Sequence, residues 1–207
     1  MSKKTLVVTY LPSGERSNTK KLVDAFLAAA QGKTRLEQLD LLKELPDVFS
    51  AEVLGAYVTR NYMGQALTPA QAAAIAKMDR MTAQLKAADV VVVAFPMHNF
   101  GLPAPVKAWF DSVMLKGQTW DVGASGFVGL MKGKQALILN SSGGVYEGSL
   151  AGWEHAVSLA KVEFTFMGYE SIEAVAAGGM NAKAAQAPEV LAAAQAQLKD
   201  LVARWYA

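Results

Sequence analysis

The 207-residue sequence has no cysteine and only two histidines, His98 and His155, and its charged residues (18%) sum to a net charge of +2. Without thiols, disulfides and cysteine-ligated zinc or iron–sulfur sites are excluded. Two histidines leave too few ligands for a structural zinc site. No basic run exceeds Lys3-Lys4 or Lys20-Lys21, whereas a nucleic-acid surface needs clustered positive charge. No nucleic-acid partner is therefore expected. The apolar stretch near the N-terminus stops at Pro12, too short for a signal-peptide core of about 7–15 residues or a membrane span of about 20. This predicts a cytoplasmic protein with no membrane span. Also missing are GxSxG, HExxH and an aspartate cluster of magnesium-site spacing, which disfavours hydrolysis by a side-chain nucleophile. Chemistry carried by a bound organic cofactor asks less of the chain itself, because the protein then supplies binding and electrostatics.

What is present is apolar: 52% of residues are hydrophobic. Three short segments, Thr5 to Thr9, Asp89 to Phe95 and Gln135 to Leu139, are almost wholly apolar and β-branched, as strands buried on both faces read. Arg35 to Leu41 and Ser171 to Ala176 are weaker strands. Between them, Asn18 to Ala30 carries Leu22, Ala25, Phe26 and Ala29 at helical spacing. Thr68 to Ala87 opens with Thr-Pro-Ala-Gln, a capping-box start with proline in the first turn. Gly152 to Phe166 and Pro188 to Trp205 also read as helices. Alternating strands and helices imply right-handed parallel βαβ units. The expected architecture is a doubly wound α/β fold in one domain, residues 1–207. In QTWDVGASGFVGLMKGK, Gly123 and Gly126 predict a short hairpin before the fourth strand.

Ligands of such folds bind beyond the carboxyl ends of the strands, so three loops are candidates. After the first strand, Arg16, Ser17, Asn18 and Thr19 stand at a helix start, where backbone amides and the helix dipole favour a phosphate. The loop is neither a dinucleotide fingerprint nor a Walker A loop, which favours a terminal monophosphate bound without a metal. Ser17 or Asn18 acting only as a helix cap is the competing reading. After the third strand comes PMHNFGLPAPVKAWFD. Its prolines stiffen the segment, Gly101 permits an unusual backbone conformation, and Pro103 or Pro105 can open the next helix. This turn suits the edge of a planar heterocycle. After the fourth strand, Ser141, Ser142, Gly143 and Gly144 offer donors and close backbone approach. Candidate aromatic walls are Phe100, Trp120, Phe127, Tyr146 and Phe164, with core packing the alternative for each. The segment Val48 to Gln65, with Tyr57, Tyr62 and Met63, reads as an interface, a pocket cover or plain surface packing.

Taken together, ERSNT, PMHNFGLPAPVKAWFD and SSGG followed by VY resemble the flavodoxin-like NAD(P)H:quinone oxidoreductases, and within them the FMN-dependent NADH-azoreductases. The resemblance implies a flavodoxin-like five-stranded parallel sheet in order 2-1-3-4-5 with helices on both faces, FMN at its carboxyl edge, and a homodimer with sites at the interface. It implies NADH or NADPH as co-substrate and a small aromatic acceptor, a quinone or azo compound. Thr9, Glu15, Arg16, Ser17 and Asn18 would surround the FMN phosphate. Pro96, Met97, His98, Asn99 and Phe100 would follow the isoalloxazine, and Ser141 to Gly144 would approach its pyrimidine end. Asn99 and His98 are the candidate catalytic residues. The chain departs from the family pattern at Glu15, where serine is common, at His98, where tyrosine is common, and at Ser142, where arginine is common. A flavodoxin-type electron carrier and a non-catalytic regulatory subunit of the same fold are the alternatives, although such carriers are generally shorter and strongly acidic.

Overall fold

Val90 to Phe95 are fully buried, because the strand they form has a neighbour on each edge and helices on each face. In the computed structural model, which describes residues 2–207, the chain runs β1 (Lys4–Thr9), α1 (Asn18–Ala30), β2 (Arg35–Asp40), α2 (Ala51–Asn61), α3 (Pro69–Ala87), β3 (Val90–Pro96), α4 (Ala104–Val113), β4 (Trp120–Gly123), β5 (Gly126–Gly129), β6 (Gln135–Ser141), α5 (Val157–Met167), β7 (Ser171–Ala177) and α6 (Ala187–Trp205). The main sheet has order β2-β1-β3-β6-β7 and every pair in it is parallel. With the β4–β5 hairpin set aside, this is the expected 2-1-3-4-5 order. Reversal of strand order between β1 and β3 creates the switch point where such sheets bind ligands.

Alternation along the strands divides the interior in two. Leu6, Val8, Val91, Val93 and Ile138 face α3, α4 and α5. Val7, Val90, Val92, Leu137 and Leu139 face α1 and α6. A third cluster joins Tyr57 and Val53 of α2 to Ile75 and Met78 of α3 and to Leu115. It fixes the segment Val48 to Gln65 to the body of the protein: the Tyr57 hydroxyl accepts the Lys116 amide at 3.0 Å. Tyr62 and Met63, by contrast, remain exposed.

The helix starts follow their sequence signals. Thr68 and Gln71 complete a reciprocal capping box ahead of α3, and Ser17 caps α1. Pro103 caps α4 and Pro105 sits in its first turn. One expected helix is corrected. Residues 152 and 153 belong to a 3-10 turn, Gly148–Trp153, and the α-helix starts only at Val157. The interruption has a cause. Glu154 turns its carboxylate onto the amides of Ala156, Val157 and Ser158 at 2.8, 2.7 and 3.0 Å, satisfying amides that a helix start leaves free.

At the amino ends of the strands, opposite the switch-point loops, a hydroxyl relay ties the C-terminus down. Tyr206 Oη lies 2.7 Å from Thr5 Oγ1, which meets Thr34 Oγ1 at 2.9 Å. Burial pushes the Tyr206 phenol up to about 12, against the opposing hydrogen bond from Thr5. The phenol therefore ionises first in the unfolded chain, near its ordinary value of about 10. The stability it contributes is complete below that pH and falls as pH climbs toward 12. Tyr206→Phe is expected to cost about 1 kcal/mol at neutral pH and to flatten the loss of stability as pH rises from about 10 toward 12, read from urea melts.

Candidate functional site

Register brings the candidate loops to one level. Thr9 at the end of β1 lies beside Ala94, and Pro96 lies beside Ser141. Beyond the strands the Met97 amide donates to the Ser141 carbonyl at 2.8 Å. Thr19, at the helix start, is fully buried and its hydroxyl meets that of Ser141 at 2.7 Å. First, third and fourth loops are thus stitched together.

Between them lies a cleft of about 270 Å³ lined by Ser13, Arg16, Ser17, Asn18, Pro96, Met97, Ser141, Ser142, Gly143, Met180 and Asn181. Of these residues only Arg16 is charged. Ser17 both caps α1, accepting the Lys20 amide at 3.2 Å, and lines the cleft, so the two readings of that position hold together. The amides of Asn18 and Thr19, first in α1, have no carbonyl one turn earlier to bond. A cation, hydroxyls and helix-start amides around one cleft form an anion site. Glu15 takes no part in it. Its carboxylate is 88% exposed and pairs with Lys20 at 3.4 Å, which removes the conflict of a carboxylate beside a bound phosphate.

Met180 and Asn181 were not anticipated. They follow Gly178 and Gly179 after β7, a glycine pair after a strand like that of SSGG, but the mixed composition of Ser171 to Ala176 made the strand inconspicuous. The two loops are laced by backbone bonds from Asn181 to Gly143 at 3.0 Å and from Gly179 to Gly144 at 2.8 Å. A Cβ at Gly143 would lie 2.8 Å from Asn181 Nδ2, so any larger residue there requires the asparagine side chain to move.

Residues 98–101 form a two-residue hairpin. The His98 amide donates to the Gly101 carbonyl at 3.1 Å and the Gly101 amide returns to His98 at 3.0 Å. The unusual backbone belongs to Asn99 (φ 45°) and Phe100 (φ 72°), not to Gly101. Paired positive φ angles define a type I′ turn, whose usual second residue is glycine. Phenylalanine there costs on the order of 1 kcal/mol, a strain of the kind found at functional sites. His98 is exposed and meets the Tyr10 ring edge-on at 5.8 Å. His98, Asn99 and Phe100 stand at the rim, outside the lining of the small cleft, as do Thr9 and Gly144.

A second cleft of about 460 Å³ shares Met97 and Ser142 with the first and reaches Asn140, Tyr146, Glu147 and Lys183. Phe100 stands between Trp153 at 5.3 Å and Tyr146 at 6.0 Å, both edge-on. Of the aromatic candidates, Phe100 and Tyr146 therefore reach the rim. Phe164 and Trp120 are buried in the body of the protein, and Phe127 is 71% exposed on the hairpin.

A doubly wound α/β protein with a phosphate-type cleft at its switch point is the class that this fold and site define. A family model described as flavodoxin-like fold matches residues 3–202, and the chain belongs to that family. Among its relatives, the FMN-dependent NADH:quinone oxidoreductase of Laribacter hongkongensis is 34% identical over 192 residues, covering 92% of this chain and 93% of that protein. The Yersinia pestis (strain Pestoides F) protein of the same name is 34% identical over 204 residues, 97% of each. Among solved structures, an azoreductase from Bacillus anthracis str. Sterne superposes with a TM-score of 0.90 at 31% identity, covering 99% of this chain and 100% of that one. An FMN-dependent NADH-azoreductase from Bacillus anthracis str. Ames Ancestor in complex with FMN gives 0.89 at 26% identity, with both chains fully covered.

Because Gly143 abuts Asn181, Gly143→Ala is expected to push the asparagine into the cleft while leaving the sheet intact. The expected result is FMN affinity weaker by about tenfold, or 1.4 kcal/mol, at an unchanged melting temperature of the ligand-free protein. Quenching of flavin fluorescence on titration measures it.

Proposed function

We propose that the protein is an FMN-dependent oxidoreductase that passes electrons from NADH or NADPH to quinones or azo compounds. The reading rests on one observation above others: a donor-rich cleft with a single cation lies at the switch point of a chain that matches enzymes of this name over nearly its whole length. The residues present suit FMN. Arg16, Ser17 and the amides of Asn18 and Thr19 would hold its phosphate, and Glu15 is turned away. Met97 to Phe100 would flank the ring system, while Ser141 to Gly144 would meet its polar edge.

Bound FMN supplies reversible hydride and electron transfer, which no side chain of this cysteine-free chain provides. The chain contributes orientation and charge. Backbone amides of Gly143 and Gly144 are fixed donors of the kind that stabilise developing negative charge. Asn99 would orient the ring through its amide, and His98, at the rim, would hand a proton to the reduced acceptor. The aromatic trio Phe100, Tyr146 and Trp153 offers faces for a flat acceptor.

We further propose a homodimer acting in the cytoplasm, where nicotinamide cofactors are available. Support for the dimer comes from the exposed apolar side chains Val122 and Phe127 on the hairpin and Val162 on α5, 57%, 71% and 62% exposed. Among the described residues, no helix is long and apolar enough to cross a membrane.

The purified protein mixed with FMN should be bleached by NADH or NADPH in a stopped-flow experiment and recoloured by a quinone, with parallel-line kinetics when both substrates are varied. Failure of both nicotinamides to bleach bound FMN overturns the enzyme reading in favour of an electron carrier. His98→Ala should lower quinone turnover several-fold while leaving reduction of the bound flavin by nicotinamide unchanged. Unchanged quinone turnover removes His98 from the mechanism.

A further inference from the structure

We propose that Glu154, which lines the larger cleft but not the small one, is a positioning residue that keeps the Asn99–Phe100 turn in its cofactor-facing conformation. The inference depends on the flavin-binding reading of that turn and extends it to a residue that acts on the turn through its two chain neighbours.

The turn needs an outside support. Two successive left-handed residues close the His98–Gly101 hairpin, and the second is a phenylalanine. Its own two backbone bonds, both between His98 and Gly101, leave the Phe100 carbonyl unpaired within the hairpin. That carbonyl is taken by the backbone amide of His155 at 2.8 Å. The Phe100 ring is held from the same segment, by Trp153 at 5.3 Å and an interplanar angle of 89°. Both grips therefore come from the two neighbours of Glu154.

Glu154 fixes those neighbours by its grasp of α5. Oε1 accepts the amides of Ala156 at 2.8 Å and Val157 at 2.7 Å, and Oε2 accepts that of Ser158 at 3.0 Å. The Ser158 hydroxyl returns to the Glu154 carbonyl at 2.7 Å. No other side chain caps this helix, and a carboxylate at a helix start also gains from the dipole. With residue 154 and residues 156–158 locked together, the peptide of His155 has one orientation, with its amide directed at Phe100. The geometry forms a chain: helix start, Glu154 carboxylate, His155 amide, Phe100 carbonyl, strained turn, Asn99. Without the carboxylate, the 3-10 turn and the helix can separate, and a phenylalanine free of its brace returns to negative φ.

The test is a thermodynamic cycle in FMN affinity, using Glu154→Ala and Phe100→Gly singly and together. Glycine adopts the second turn position unaided, so it uncouples the turn from its brace. Glu154→Ala alone should weaken FMN binding about tenfold or more and speed hydrogen exchange at the His155 amide. In the Phe100→Gly background its effect on FMN should shrink to about threefold or less, the non-additivity expected of coupled residues. A lowered melting temperature with unchanged FMN affinity overturns the proposal and reduces Glu154 to a helix cap, as does an equal loss in both backgrounds. If Glu154→Ala does not fold, Glu154→Gln, which keeps one acceptor oxygen, replaces it in the same cycle with a smaller expected loss and the same two overturning results. Wild-type protein that binds no FMN refutes the functional reading itself. Wild-type binding with an indifferent Glu154 refutes this proposal alone.

Discussion

The parallel ladder of β1, β3 and β6 sets the position of every group at the site. From Val90 to Phe95 its central strand has no side chain in water, so its surroundings fix it by packing on both faces and by hydrogen bonds on both edges. A one-residue slip of β3 would exchange Val91 and Val93 with Val90 and Val92 between two differently shaped cores, a change that close packing resists. With register fixed in this way, Thr9, Pro96 and Ser141 end at one height, and the loops that follow must meet. The Met97 amide on the Ser141 carbonyl and the Thr19–Ser141 hydroxyl pair are consequences of that meeting. The cleft is therefore a property of the sheet, with loop chemistry laid upon it.

That dependence explains what could be read without coordinates. Buried parallel strands announce themselves by composition, so TLVVT, DVVVVAF and QALIL gave the frame, and the frame gave the loops. α1 and α3 were legible because their first turns carry cap signals with a direct physical meaning. Less legible was whatever depends on contacts between distant segments. The interruption before α5 arises because the Glu154 carboxylate competes for helix amides, and a glutamate in an otherwise helical pattern does not advertise that. Met180 and Asn181 were missed because β7 is an edge strand, half exposed, with no run of β-branched residues to mark it. The left-handed turn was placed on the right loop but on the wrong residue. Glycine is the cheapest source of positive φ, yet here two non-glycine residues carry it and Gly101 does not.

The site divides its work between stiff and strained parts. The small cleft is built from the start of α1 and from loops tied to one another by backbone bonds. The hairpin after β3 is different, because its conformation is unfavourable alone and is held by carbonyl and ring contacts from residues more than fifty positions later. The site therefore depends on a segment that lines the larger cleft only at Tyr146, Glu147 and Glu154. Changes at Trp153 or His155 would then reach the site through the turn, even where both of these clefts are preserved.

Charge argues for an enzyme over a carrier. A carrier that docks transiently on protein partners gains from a strong field of one sign, which speeds encounter. This chain has a net charge of +2, and its surface ions are largely paired with one another, as in Lys77–Asp47 and Arg60–Asp79. Around the cleft the exposed surface is aromatic, with Phe100 and Trp153 42% and 53% exposed. Such a rim does little to attract a distant protein but suits a flat, uncharged molecule that must shed water to reach a ring system below. Charged groups do enter the larger cleft, at Glu147, Glu154 and Lys183, but both signs are present there and no field of one sign results. An aromatic rim of this kind favours stacking and desolvation, whereas the small cleft, with Arg16 as its one charged lining residue, favours an anion.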